Sequence, residues 1–199
     1  ASVICSCSID HTDWLSKNEQ TIEKIVFEKT SALLNSNIIV AKQSTKHTMD
    51  CIKRTISKNQ SKKKFFNDDF SYSFSKNNFF YYEDKLGRLK LPLPNVLGQF
   101  QLDNISVAIA TLKSLNLSIK EEHIKKGITK ISNLARLQEI KSGKLKSLVK
   151  NNKLIVDGTH NEDGARVLNE YLKSLNCKKH VIISMMANKE HEKYISYFK

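Results

Sequence analysis

The stretch "LIVDGTHNEDGA", residues 154–165, constrains the fold of this 199-residue chain more than any other. Its apolar run indicates a buried strand that ends at Asp157-Gly158, and a helix is predicted to begin after Asn161. A strand that passes into a helix through a short turn is typical of α/β folds with parallel strands. The polar side chains there either close a structural turn or, because ligands bind at the carboxyl ends of such strands, make Asp157 and His160 candidates for a site that binds an anion.

Apolar periodicity predicts further elements on both sides of this turn. Strands are predicted at 3–9, 38–40 and 181–183, and helices from Thr21 and at 45–58, 103–115, 119–131 and 189–198. The alternating, aromatic-rich segment 70–93 predicts a small antiparallel meander, with turns near Asn77-Asn78 and Gly87. Short strands are predicted on both sides of a turn at Gly143. The strand, helix and strand over 154–183 predict a parallel β-α-β unit.

Two of these helices have a clear apolar face. The helix over 103–115 is predicted to bury Ile105, Ala108, Ile109, Leu112 and Leu115. The helix after Asn161 is predicted to bury Ala165, Leu168, Tyr171, Leu172 and Leu175. The pattern changes after Asn133, so we predict two domains, 1–132 and 133–199, in a chain whose 40% hydrophobic content suffices for a core.

The net charge of +13 raises the question of a nucleic-acid partner. The lysines are spread along the whole chain, and only Lys62–Lys64, followed by Phe65-Phe66, form a local cluster. No apolar stretch approaches the roughly 18 residues of a membrane span, and four cysteines are too few for a disulfide scaffold. We therefore expect a cytoplasmic monomer that binds neither nucleic acid nor membrane.

Two further positions carry chemistry-bearing side chains. Asp10-His11 follows the first predicted strand, as Asp157 follows a later one. Lys29 shares a helix face with apolar residues that include Ile25 and Val26, and a buried ammonium is costly unless it is paired or modified. Lys29 either extends to the edge of this face or is held in a site, where a carbamate would offer two oxygens to a hard cation.

Three other residues are weaker candidates by themselves. Arg136 lies at the join between the predicted domains, and an arginine there can bind a phosphate with two hydrogen bonds. Asn104, close after Gln101, is most simply the N-cap of the helix over 103–115. The six glycines include no GxxxxGK[ST] motif, so the sequence contains no P-loop.

Four segments in this order, "SIDHTDWL…TIEKIVFEK", "LGQFQLDNISVAIATLKSL", "ARLQEI" and "LIVDGTHNEDGARVL", resemble the folylpolyglutamate synthase / dihydrofolate synthase family. These are Mur-ligase-like, ATP-dependent, amide-forming enzymes, and the resemblance runs from about Val3 to Met186. It implies an α/β fold: the C-terminal half of a Mur-ligase-type ATPase domain, with a parallel sheet, helices and a small antiparallel meander. The start of a Rossmann-like C-terminal domain follows. It also implies an internal fragment that lacks the P-loop.

The resemblance implies a metal site and a catalytic lysine. His11 matches a histidine that binds Mg²⁺, and Lys29 matches a lysine that is carbamylated and lies beside the metal ions. A magnesium ion would neutralise negative charge on the phosphate oxygens of ATP.

The resemblance also implies a set of nucleotide-binding residues. Gln101 and Asn104 match residues beside the nucleotide, with Asn104 at the adenine, and Arg136 matches an arginine that binds the phosphates. Asp157 and His160 match the contribution of the C-terminal domain, His160 being also a catalytic candidate. Two neighbours depart from the family pattern: Ala135 stands in place of a glycine and Phe100 in place of a histidine.

The implied reaction joins L-glutamate to a carboxylate of dihydropteroate or a folate. ATP phosphorylates the carboxylate, the amine of glutamate attacks the acyl phosphate, and an amide forms with ADP and phosphate. The 199 residues alone are expected to be inactive. The alternatives are another Mur-type amino-acid ligase and a basic RNA-binding module that uses Lys62–Lys64 and the aromatic strands.

Overall fold

The computed structural model describes residues 1–10, 15–33, 36–75, 78–187 and 189–199. They divide into two compact units, the first made of 1–93 and 102–129, and the second of 94–101 and 130–199. The segment 94–101 therefore groups with the second unit and not with the range 1–132. Gly98 of this segment lies close to Leu137, because a Cβ atom added at the glycine would lie 2.8 Å from Cδ1 of the leucine.

A three-stranded parallel sheet forms the base of the first unit. Its strands are β1 (Ser2–Ile4), β2 (Ile38–Val40) and β3 (Lys63–Phe65), in the order β1-β2-β3. All three residues of β2 are fully buried, as expected for a central parallel strand. The strand β1 is shorter than the predicted 3–9, and β3 was not predicted, because its sequence KKF lacks an apolar run.

Two helices cover this sheet and complete the first core. They are α1 (Ile22–Ser31) and α2 (Lys46–Thr55), after a short 3-10 helix at Lys17–Glu19. The N-caps are Thr21 and Thr45, whose side-chain oxygens accept hydrogen bonds from the backbone N–H groups three residues later. The buried members of this core are Ile4, Cys7, Val26, Ile38, Val40, Cys51, Ile52 and Ile56.

The predicted meander is an antiparallel sheet of β4 (Phe70–Phe74), β5 (Phe79–Asp84) and β6 (Gly87–Pro92). Phe80, Tyr82 and Leu91 face inward and are fully buried. The turn into β6 places Gly87 at a φ of 128°, and the predicted turn at Asn78 has a φ of 57°. Asn77 lies outside the described residues.

Two helices follow, α3 (Phe100–Ser114) and α4 (Glu121–Thr129). The α3 helix begins before the predicted residue 103, and its buried surface is wider than the predicted stripe. Leu102, Ser106, Val107 and Ala110 are buried together with the predicted Ile105 and Ile109. Ala108 is exposed, so its predicted inward position was wrong. None of the helices in the described residues is long and apolar enough to cross a membrane.

The second unit contains β7 (Gln138–Ile140), α5 (Lys144–Leu148), β8 (Leu154–Val156), α6 (Glu162–Ser174) and α7 (His191–Ser196). The strands β7 and β8 pair in antiparallel register, and a helix takes the place of the strand predicted after Gly143. On α6, Ala165 is fully buried, while the rest of the predicted inner face is partly exposed.

The predicted strand at 181–183 does not form, so the predicted parallel β-α-β unit was wrong for the described residues. Ile182 is 97% exposed. An apolar run becomes a strand only beside a neighbour that shares its hydrogen bonds, and no described strand pairs with 181–183. The predicted mixed α/β class, with a parallel sheet, small antiparallel sheets and helices, is confirmed.

Candidate functional site

The candidate site is centred on three residues, Ala135, Arg136 and Leu137, which we call the arginine loop. Ala135 has a φ of 53° and Leu137 a φ of 49°, so both flanking residues adopt the left-handed conformation that favours glycine. The glycine that the resembling family has at position 135 fits this backbone without strain. A loop with two such residues needs bonds from outside to hold it.

The turn after β8 supplies these bonds. Oδ2 of Asp157 accepts a hydrogen bond from the backbone N–H of Leu137 at 2.8 Å. The N–H of Gly158 donates to the carbonyl oxygen of Ala135, also at 2.8 Å. Arg136 is therefore held through its backbone neighbours on both sides. The motif singled out in the sequence and the predicted phosphate-binding arginine lie together.

The absence of a side chain at Gly158 permits this close approach. A Cβ atom added there would lie 3.3 Å from the carbonyl oxygen of Ala135, tighter than most Cβ contacts. The other oxygen of Asp157, Oδ1, accepts from the backbone N–H of Thr159 at 2.9 Å and closes the turn. Both oxygens of this carboxylate thus accept backbone N–H groups.

His160 follows the turn and precedes α6. Asn161 is the N-cap of α6, as predicted, because its Oδ1 accepts from the N–H of Gly164 at 2.8 Å. Nδ1 of His160 lies 3.1 Å from the carbonyl oxygen of Gly158. The hydroxyl of Thr159 lies 2.8 Å from that of the buried Tyr194, which connects the turn to α7. His160 thus lies at the positive end of a helix dipole, where an anion is stabilised.

The side chain of Arg136 is exposed, and the described part of the chain supplies no ion-pair partner for its guanidinium group. A guanidinium group keeps its charge at any physiological pH and presents several N–H donors in one plane. Its rigidly held backbone and open side chain suit the binding of a phosphate group.

Gln101 belongs to the same compact unit and lies in the first turn of α3. Its side chain is 3% exposed, and its Nε2 is buried without an acceptor among the described residues. An unpaired buried donor is unfavourable by about 1–3 kcal/mol, and such groups in native proteins call for an explanation. This orphaned donor is the observation that fits a bound ligand, such as a nucleotide, at this turn.

Asn104 lies one helical turn after Gln101, and its side chain is exposed. It is not the N-cap of α3, as the sequence suggested, because the helix already begins at Phe100. The structure therefore places Arg136, Asp157, His160 and Gln101 in the second unit and Asn104 in the first.

Lys29 is exposed, although the sequence suggested that it interrupts a buried face of α1. Only Ile25 and Val26 of this helix are buried, so the face is narrower than the periodicity implied. Burial raises the pKa of the Cys7 thiol, and the nearby charge of Lys29 opposes part of this rise.

The predicted metal ligand His11 lies outside the described residues. No group of three or more His, Cys, Asp or Glu side chains within the described ranges could hold a metal ion. The pairing of Lys29 with His11 stays a prediction.

Gln43 was missed by the sequence analysis. It is buried, and its Oε1 accepts from the N–H of Cys7 at 2.9 Å. Its Nε2 donates to the carbonyl oxygens of Cys5 at 3.2 Å and Ala41 at 2.9 Å. These three bonds tie together the segments that follow β1 and β2. A lone glutamine in a loop gives no signal of this role in the sequence.

Solved structures share this fold. E. coli FolC in complex with DHPP and ADP aligns with a TM-score of 0.79 and 25% identity, over 98% of this chain and 44% of its own. L. casei FPGS in its apo form aligns with a TM-score of 0.69 and 25% identity, over 89% of this chain and 42% of its own. A bifunctional folylpolyglutamate synthase/dihydrofolate synthase from Yersinia pestis shows the same fold, with a TM-score of 0.77 at 23% identity.

The resemblance seen in the sequence is confirmed, since these structural neighbours are folylpolyglutamate synthases and dihydrofolate synthases. The chain spans about 44% of the length of E. coli FolC. No protein-family model matches the sequence, and neither does any curated protein.

Proposed function

We propose that this chain is part of an ATP-dependent ligase that joins L-glutamate to the carboxylate of a pteroate or a folate. In this reaction ATP phosphorylates the carboxylate, and the amine of glutamate then displaces phosphate to form the amide. The fold shared with FolC in complex with DHPP and ADP supports this proposal. So does the fold shared with an FPGS-AMPPCP-folate complex, at a TM-score of 0.72 and 25% identity.

The observation that carries the proposal is the arginine loop. Arg136 is exposed, without an ion-pair partner among the described residues, and its neighbours are held by Asp157 and Gly158. His160 lies at the start of α6 in the same unit. A guanidinium group and a helix N-terminus both favour an anion, and the phosphates of ATP are such an anion.

The remaining nucleotide-binding roles follow from the side chains. Gln101 would direct its unpaired Nε2 to a nucleotide acceptor, and Asn104 would contact the adenine. Asp157 is negative, so it would not face a phosphate directly. Asp157 would contribute through the arginine loop, because its carboxylate accepts the N–H of Leu137.

We also propose that Mg²⁺ accompanies ATP and that Lys29 is catalytic as a carbamate, with His11 as a metal ligand. A solved neighbour at 22% identity holds Mn, AMPPNP and L-glutamate, which supports a nucleotide with a divalent cation. Carbamylation would convert the exposed amine of Lys29 into an anion with two oxygens, the ligands that Mg²⁺ prefers. Among the described residues, no group of three or more His, Cys, Asp or Glu side chains could hold the cation, and the candidate ligand His11 lies outside them.

The alternatives are a different Mur-type amino-acid ligase and an RNA-binding module. The RNA-binding alternative needs open aromatic rings on which bases can stack. The guanidinium of Arg88 lies 3.7 Å from the ring centroid of Tyr81, and Nζ of Lys90 lies 4.3 Å from that of Phe79. Bases would have to displace both cations, so these contacts favour small-molecule partners over RNA. We propose separately that the protein is a cytoplasmic monomer.

The nucleotide proposal is tested with Arg136→Ala and His160→Ala in the full-length protein. We expect each variant to lower kcat/KM for ATP at least tenfold, about 1.4 kcal/mol in the barrier. The midpoint of urea unfolding should change less than for Leu168→Ala, which truncates a half-buried apolar side chain of α6. Arg88→Ala, an exposed arginine in the first unit, is the control and should keep normal activity. Normal turnover in both site variants would reduce the loop to a structural turn.

The role of Lys29 is tested by comparing Lys29→Ala with Lys29→Arg. An arginine keeps the charge but cannot form the carbamate, so we expect both variants to lose turnover by more than about tenfold. Because the side chain is exposed, both should unfold within about 0.5 kcal/mol of the parent protein. Lys58→Arg, at another exposed lysine of the same unit, is the matched control. Full activity in Lys29→Arg would exclude the carbamate.

A further inference from the structure

We propose that Asp157 is a positioning residue, which acts on the nucleotide through Arg136 and does not bind it directly. The proposal rests on the proposed function, because it assumes that Arg136 binds an anionic phosphate. It explains how the backbone around Arg136 is held in position. The carboxylate of Asp157 and the N–H of Gly158 hold the arginine loop in its conformation before any ligand arrives.

Both oxygens of Asp157 already accept a hydrogen bond from a backbone N–H group. Oδ2 accepts from the N–H of Leu137 at 2.8 Å, and Oδ1 accepts from the N–H of Thr159 at 2.9 Å. A carboxylate can accept at both oxygens, whereas an asparagine would present an NH₂ group to one of the two N–H donors. The site therefore requires an acidic side chain for a reason internal to the protein.

The backbone conformation of the arginine loop also depends on these hydrogen bonds. Ala135 and Leu137 both have a positive φ, which is unfavourable for residues with a Cβ atom. The loop is held by three bonds from outside or across it. These are Leu137 N–H to Asp157, Gly158 N–H to the oxygen of Ala135 at 2.8 Å, and Ala135 N–H to Oε1 of Gln138 at 3.0 Å.

These hydrogen bonds leave the side chain of Arg136 open to solvent. They engage the backbone on both sides of Arg136, while its side chain is exposed and has no ion-pair partner among the described residues. Fixing a backbone before binding removes an entropy loss that would otherwise weaken affinity. The carboxylate of Asp157 thus holds the loop, and the guanidinium group of Arg136 is available to the ligand.

A double-mutant cycle in the full-length protein tests the proposal. The variants are Asp157→Asn, Arg136→Ala and the two combined, each measured as kcat/KM for Mg·ATP. We expect each single variant to lose about tenfold, and the double variant to lie within about threefold of Arg136→Ala, because Asp157 acts through the arginine. Losses that multiply to about a hundredfold would indicate direct contact of Asp157 with the nucleotide and overturn the proposal.

Hydrogen exchange of the backbone amides gives a readout that does not depend on activity. In Asp157→Asn, the Leu137 amide should exchange at least about tenfold faster, while the amides of α6 keep their protection. Glu170→Gln, which removes one negative charge from the same unit, is the matched control and should leave Leu137 unchanged. If Asp157→Asn does not fold, Gly158→Ala is the second variant, because its Cβ atom would lie 3.3 Å from the carbonyl oxygen of Ala135 and crowd the hydrogen bond there; it should also speed exchange at Leu137.

The outcomes separate the two proposals. Unchanged exchange at Leu137 together with a tenfold loss in Arg136→Ala would overturn the positioning role and leave the proposed function standing. Normal kcat/KM in Arg136→Ala would overturn both. Faster exchange at Leu137 together with a non-additive cycle would support both.

Discussion

We expect Lys113→Met to lower the free energy of unfolding by about 3–5 kcal/mol at pH 7, because it leaves a buried charge without its partner. The carboxylate of Asp84 is 3% exposed and lies 2.8 Å from Nζ of Lys113, whose side chain is 19% exposed. The pair joins β5 to α3, so both the meander and the helix depend on it. Urea unfolding followed by circular dichroism measures the change.

The double variant Asp84→Asn/Lys113→Met is the control, and it should recover part of the loss because no charge then remains buried. A loss below about 1 kcal/mol in Lys113→Met would show that the pair behaves as an exposed salt bridge.

The pair also predicts a dependence on pH. Burial acts to raise the pKa of Asp84, but its hydrogen bond to Lys113, the N–H of Leu86 and the charge of Lys113 together lower it below its ordinary value. A carboxylate with a lowered pKa stabilises the folded state above its unfolded pKa, and this contribution is lost as the pH falls through the folded pKa. The difference between Lys113→Met and the parent protein should therefore be largest near neutral pH and shrink in acid.

We expect Phe80→Ala to lower the free energy of unfolding by about 3–5 kcal/mol, through lost apolar burial and the cavity that remains. The side chain of Phe80 is fully buried in the middle strand of the antiparallel sheet. Phe74 pairs with it across β4 and β5 and is 55% exposed. Phe74→Ala is thus a matched control, and its expected loss is below about 1 kcal/mol. Equal losses in the two variants would contradict this account of the core.

The two effects above concern folding, whereas the expected effects at the arginine loop concern activity. Arg136 is exposed and Asp157 is bonded to backbone groups, so Arg136→Ala removes no buried contact while Asp157→Asn loosens a loop. The arginine loop and the turn after β8 therefore contribute to stability through Asp157 and to the proposed nucleotide site through Arg136. Measuring unfolding and kcat/KM on the same variants separates the two contributions.

Local sequence patterns were sufficient for much of the fold. The alternation over 70–93 predicted the meander, and the apolar run before Asp157 predicted β8. Asn161 was predicted as the cap of α6, and its bond to Gly164 N–H confirms this. Each of these features depends on residues that are close in the chain, so propensity and periodicity already contain the information.

Other features depended on partners distant in the chain. The KKF segment of β3 became a strand because β2 lies beside it, and the apolar run at 181–183 did not, because no described strand pairs with it. Lys29 is exposed because α1 buries a narrower face than its spacing implied. A hydrogen-bonding neighbour and the extent of burial are properties of the packed chain, and periodicity does not report them.

The candidate site divides in the same way. The sequence by itself determined which residues are available: an acidic turn after a strand, a histidine at a helix start and an arginine some twenty residues earlier in the chain. Only the tertiary structure decided that the Asp157 carboxylate binds the backbone N–H of Leu137, 20 residues away in the chain. It also decided that Ala135 and Leu137 adopt a positive φ. The physical reason is that a strained loop persists only where bonds from another segment hold it, and those bonds exist once the chain has folded.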